Sequence, residues 1–113
     1  MQKNMQRAKF EALTAAEITE SALTQLKYRG WECWRQNQIP VRGRNFIGKE
    51  GLSDIIGFHK FTGLMLMCEV KTQKDILSAN QKALLTQLKL AGGIALLAQD
   101  DKKGGVIISE YQS

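Results

Sequence analysis

Two apolar runs joined by a short turn occupy the middle of the chain, in the stretch Gly51 to Lys71 (GLSDIIGFHKFTGLMLMCEVK), and their charged residues fall at the ends. The first run, Ile55 to Phe58, starts directly after Asp54; the second, Leu64 to Val70, is apolar except for Glu69 and is followed by Lys71. Thr62-Gly63 between them is a hairpin signal. Partner numbers in an antiparallel pair sum to a constant, so a loop centred on Phe61-Thr62 sets Asp54 against Glu69, whereas one centred on Thr62-Gly63 sets Asp54 against Lys71. Directly opposed side chains have Cβ atoms roughly 5 Å apart, close enough for two carboxylates to share one cation. Glu69 and Lys71, two residues apart on a strand, point to the same face.

The second run is apolar on both faces, with Leu64, Leu66, Cys68 and Val70 on one and Met65 and Met67 on the other. Such a strand is expected at the centre of a sheet covered on both sides. Ending it with a carboxylate and an ammonium on one face is costly unless something neutralises them. A solvated ion pair at a strand end would explain an isolated E-x-K; Asp54, placed opposite by the hairpin, favours a site.

The elements on either side follow from local signals. Thr14-x-x-Glu17 is a capping-box signature, and Ile18, Ala22 and Leu26 make an apolar stripe, giving a first helix over about Ala15 to Arg29. Trp31 to Arg35 alternates as a strand, with Trp31, Cys33 and Arg35 on one face and Glu32 and Trp34 on the other. The tryptophans have two readings, base stacking beside a basic loop and core packing, and packing is favoured for at least one of them. Gln36 to Gly51 is a long loop with Pro40 and several basic residues. Ser78-x-x-Gln81 is a second capping box, opening a helix whose stripe is Leu84, Leu85, Leu88 and Ala91. Gly92-Gly93 ends it. Ile94 to Ala98 follows as a buried strand expected parallel to the E-V-K strand, and Val106 to Ser109 as an edge strand. The order is α-β-β-β-α-β-β: an α/β fold with a mixed sheet flanked by helices.

With 113 residues the chain is expected to form a single domain, residues 1–113. Met1 to Phe10 is polar and basic and reads as a frayed helical turn or a disordered tail, so residues 1–13 are set apart from the core as a flexible tail. No apolar run approaches the roughly 20 residues needed to span a bilayer, and the N-terminus lacks a signal-peptide pattern. A soluble protein of the cytoplasm, with no membrane partner, is expected. Cys33 and Cys68 lack C-x-x-C spacing and read as structural thiols, and a sole histidine, His59, argues against zinc chemistry built on several histidines. A net charge of +5 favours a polyanionic partner, and Arg35, Arg42, Arg44 and Lys49 cluster around the loop that leads into Asp54, where a phosphate backbone would need neutralising.

Taken in order, R-x-N at Arg35 to Asn37, G-x-S-D-I-I-G at Gly51 to Gly57, E-V-K at Glu69 to Lys71, L-S-x-x-Q at Leu77 to Gln81 and then Gly92-Gly93 resemble the PD-(D/E)XK nuclease superfamily, most closely its VRR-NUC branch. The resemblance runs from about Glu17 to Gln99, and Ser53 stands where the superfamily name has proline. It implies a restriction-endonuclease-like core and a metal-dependent nuclease acting on DNA, an endonuclease selective for branched, flap or junction structure. Asp54 and Glu69, with the carbonyl of Val70, would be hard oxygen ligands for Mg2+ or Mn2+. Lys71 would position a water or neutralise developing charge. Gln81, which capping alone also explains, would face the active site. The resemblance adds a glutamate on the first helix: Glu17 has a capping role ready, and Glu20, nearer the apolar stripe, is preferred as the catalytic carboxylate. Arg35, Arg42, Arg44 and Lys49 would bind DNA. Two other readings stay open, a non-catalytic DNA-binding module with a nuclease fold and a Holliday-junction-resolving homodimer.

Overall fold

The computed structural model describes residues 11–36 and 49–112. Two helices and five strands follow the expected order: α1 (Ala15–Tyr28), β1 (Trp31–Arg35), β2 (Ile55–His59), β3 (Met65–Lys71), α2 (Ala79–Leu90), β4 (Ile94–Asp100) and β5 (Val106–Glu110). The strands form one sheet in sequence order, β1-β2-β3-β4-β5. β3 and β4 are parallel and the other pairs antiparallel, so α2 is the crossover that a parallel pair requires.

β3 is therefore central, as its two-sided apolarity dictates, and every residue from Leu66 to Lys71 is buried. Ile55 pairs with Cys68 and Phe58 with Met65, a register whose loop centres on Phe61-Thr62. Continued by one residue, it sets Asp54 against Glu69.

The two faces of the sheet are closed differently. Ile18, Ala22 and Leu26 of α1 pack on Ile55, Leu66, Cys68 and Val70 in a cluster that β1 and β4 extend with Cys33, Leu96 and Ala98. On the other face a smaller cluster joins Leu85 of α2 to Met67, Ala95 and Tyr111. Both helices begin with complete capping boxes, Thr14 with Glu17 and Ser78 with Gln81. Each box satisfies N–H groups that the first turn would otherwise leave unpaired. α1 is one residue shorter than expected, with Arg29 as its C-cap. Ala91 is the exposed C-cap of α2 and lies outside its stripe.

Candidate functional site

The candidate site lies where β3 ends. Alternation along the strand sends Val70 into the apolar cluster under α1 and sends Glu69 and Lys71 to the α2 face. Asp54, just before β2, reaches the same end: its Oδ2 accepts a hydrogen bond from the Val70 N–H at 2.8 Å. Val70 thus meets Asp54 through its amide. The Asp54 carbonyl accepts from the Gln36 N–H at 2.7 Å, which ties the end of β1 to the same point.

Glu69 is 2% exposed and Lys71 8%. Lys71 Nζ lies 3.7 Å from Glu69 Oε2 and donates to Gln81 Oε1 and to the Ile76 carbonyl, both at 3.2 Å. Gln81 Nε2 donates to Glu69 Oε2. Gln81 also closes its capping box, its Oε1 accepting from the Ser78 N–H at 2.8 Å. One side chain therefore caps α2 and bridges Glu69 to Lys71: its Oε1 accepts from both the Ser78 N–H and Lys71 Nζ, while its Nε2 donates to Glu69. Burial, then the neighbouring Asp54 charge, pushes the Glu69 carboxyl up to about 7, and Lys71 opposes the shift. Such a carboxyl is poised between its charged and neutral forms near neutral pH, the kind of perturbation that concentrates at functional sites. Among the described residues Glu69 Oε1 has no hydrogen-bond partner, and neither does the buried Ser53 Oγ.

The segment that carries Asp54 is locked to the helix that carries Gln81. Gly51 has φ +82°, and a Cβ there would strike the backbone carbonyl of Asn80. Glycine meets both demands, a left-handed conformation and contact between two backbones. The Asn80 side-chain amide also donates to Glu50 at 3.0 Å. Gly51 stands in the G-x-S-D stretch, and its left-handed backbone together with its contact with α2 explains why glycine belongs there.

The other expected site residues lie at various distances from this cluster. Arg35 is exposed at the end of β1. Lys49 is exposed and lines a groove of about 380 Å³ with Glu50, Asn80 and Leu84, along α2. Arg42 and Arg44 lie outside the described residues. Glu17 is engaged in the α1 cap, where its Oε1 accepts from the Thr14 N–H at 2.9 Å. The preferred candidate, Glu20, is exposed, and among the described residues its carboxylate makes no hydrogen bond or ion pair with Asp54, Glu69 or Lys71. The cause is geometric: the stripe of α1 packs on the sheet face opposite to the one that Glu69 and Lys71 point from, and Glu20 sits off that stripe. The start of α1 does reach the same end of the sheet, because the Leu13 N–H donates to Asp100 Oδ2 at 2.8 Å. Asp100 also accepts from Gln73 Nε2 at 3.0 Å and from the Lys102 N–H at 2.6 Å. These donors hold its carboxyl below the usual range.

The two tryptophans divide between their readings. Trp31 is half-buried, set edge-on to His59 with centroids 4.9 Å apart. Trp34 is 44% exposed and opposite Ile56, on the same side of the sheet as Asp54. Cys33 and Cys68 are free, buried thiols.

A five-stranded mixed sheet with one helix on each face and the carboxylates at its open end has the restriction-endonuclease-like α/β fold. It is similar to the structure of Hjc, a Holliday junction resolvase from the archaeal hyperthermophile Archaeoglobus fulgidus, with a TM-score of 0.57 at 20% identity over 84% of this chain and 75% of that one. No family model and no curated protein matches the sequence. Among the described residues no helix is long and apolar enough to cross a membrane.

Proposed function

We propose that this protein is a divalent-cation-dependent nuclease of the PD-(D/E)XK type that hydrolyses DNA phosphodiesters. The observation that carries the reading is the convergence of Asp54, Glu69 and Lys71, with Gln81, at the end of a buried central strand. The motif order resembles the VRR-NUC branch, and the likeness in fold to a resolvase supports a structure-selective endonuclease, with branched, flap or four-way-junction DNA as substrate. The chain acts as one domain, inside the cell, and a homodimer would present one site to each of two strands.

The donor set fits a hard cation. Asp54 and Glu69 supply two carboxylates, and Glu69 Oε1 is buried without a partner. Among the described residues no group of three or more His, Cys, Asp or Glu side chains is arranged to hold a metal. Two carboxylates suit Mg2+ or Mn2+, which keep several waters and take further oxygens from substrate phosphate. Asp54, Glu69 and the Val70 carbonyl would hold it. Bound there, the ion supplies Lewis-acid polarisation of the phosphate and a lowered pKa for a bound water.

The chain's own groups do the rest. Lys71, fixed by Gln81 and the Ile76 carbonyl, presents a positive charge beside Glu69 where negative charge develops on the phosphoryl oxygens. It also lines a cavity of about 160 Å³ with Lys102, Asp75 and Asp100, whose two carboxylates disfavour a phosphate on that side. Gln81 restrains Glu69 and Lys71 relative to one another. Arg35 and Lys49, with Arg42 and Arg44, neutralise the DNA backbone, and Trp34 offers an indole face to an unpaired base. Glu20 stays a candidate for an auxiliary carboxylate that substrate or cation would have to draw in.

The test is cleavage of duplex, flap and four-way-junction DNA with Mg2+, with Mn2+ and with chelator. Cation-dependent cutting that favours the branched substrates is expected. Binding that persists in chelator, with no cleavage under either ion, would leave only a DNA-binding module.

A further inference from the structure

Ser53 directly precedes Asp54 and is 0% exposed. Its hydroxyl caps no helix and closes no turn, since Oγ has no hydrogen-bond partner. Among the described residues the other buried side-chain oxygen without a partner is Glu69 Oε1. The two lie close together, and the hydroxyl favours the ionised form of Glu69. Buried polar groups are nearly always paired, and an unpaired one lowers stability. Two orphans side by side, one a donor and one an acceptor, therefore call for an explanation.

We propose that Ser53 is a positioning residue for Glu69: its hydroxyl donates to Oε1 and fixes the plane of the carboxylate, so that Glu69 and Asp54 can share a cation. The proposal rests on the two-carboxylate reading of the site. A hydroxyl rotor is free to turn onto Oε1, because among the described residues the Ser53 O–H has no other acceptor. A carboxylate oxygen can accept that bond and still ligate, since it carries two lone pairs. Proline at this position would have no group to offer. In this chain, then, Ser53 adds a function to a position that otherwise only leads the chain into β2.

The experiment reads Mn2+ affinity without DNA, by calorimetry or by the electron paramagnetic resonance of free Mn2+, together with the thermal midpoint of the metal-free protein. Wild type is compared with Ser53→Ala, Ser53→Thr and Asp54→Ala. Ser53→Ala should bind Mn2+ about tenfold more weakly, while the metal-free protein still melts cooperatively with a midpoint lowered by no more than roughly 8 °C, the cost of one buried hydrogen bond. Ser53→Thr, which keeps the hydroxyl, should restore most of the affinity. If it does not fold, the alanine comparison decides alone. Affinity in Ser53→Ala within twofold of wild type overturns the proposal. So does a folded Ser53→Thr chain that binds Mn2+ no better than Ser53→Ala, which would trace the loss to packing and not to the hydroxyl. Asp54→Ala separates the two levels: if it binds Mn2+ as well as wild type, or wild type binds none, the shared-cation reading fails and the role of Ser53 with it.

Discussion

The face of the sheet under α1 and the face under α2 are built on the same five strands, yet they are closed by opposite chemistry. Under α1, an apolar cluster runs from Ile18 to Ala98, and the buried Thr19 beside it returns its hydroxyl to the Ala15 carbonyl. Under α2, apolar packing covers Met67 and Ala95, then gives way at the end of β3 to Glu69, Lys71 and Gln81. Val70 lies between Glu69 and Lys71 in sequence and belongs to the α1 side. A single strand therefore contributes alternate residues to stability and to chemistry. Burying the charges is the costly choice, and the Glu69 carboxyl, driven up toward neutrality, shows it. The α1 face offsets that cost with dry burial.

The comparison breaks most sharply in activity. Asp54→Ala or Lys71→Ala should lower cation-dependent DNA cleavage by about a thousandfold while leaving the far-UV spectrum and a cooperative melt intact, since losing one preorganised charge of this kind costs on the order of 10²–10³ in rate. Full activity in either variant would remove the mechanism. On the opposite face the expectation is reversed. Leu66→Ala, in the apolar cluster, should destabilise by about 2–5 kcal/mol in urea unfolding, with cleavage per folded molecule little changed.

pH sharpens the contrast next. The Glu69 carboxyl titrates near 7 in the folded protein against an ordinary 4.5, so the folded chain retains a proton that the unfolded chain has lost between those values. Stability from this group is complete below the ordinary value and is lost as pH rises through 7. Asp75 and Asp100, held low by N–H donors, act in the opposite sense, and their contribution is lost only on acidification below the ordinary carboxylate range. The metal-free protein should therefore melt about 5 °C higher at pH 5.5 than at pH 8. Glu69→Gln should raise the midpoint at pH 8 and flatten the difference.

The smallest effect separates the two helix caps. Thr14→Ala and Ser78→Ala each remove the same kind of capping bond and should each cost about 1 kcal/mol. Only Ser78→Ala should also reduce cleavage, because only the α2 cap shares its glutamine with the site.

Much of this contrast is legible in the sequence, where periodicity and turns carry it. The two-sided apolarity of β3 marks it as central, and the two possible hairpin registers already bring Asp54 to Glu69 or to Lys71. The register observed is the first of these. Capping signatures place both helix starts. What escapes is whatever depends on contacts between distant backbones or on single atoms. The acceptor role of the Ile76 carbonyl leaves no trace in residue type, and the clash that requires glycine at position 51 depends on where α2 docks. Glu20 shows the limit of a helical wheel, which ranks angles around α1 but cannot say which face of the sheet that helix covers.

The most direct test of the shared-cation claim is a crystal structure of the protein soaked in Mn2+, with the ion located by anomalous scattering. One peak bridged by the carboxylates of Asp54 and Glu69, with Lys71 beside it, is expected. A peak elsewhere, or an ion held by only one of the two at saturating Mn2+, would contradict it.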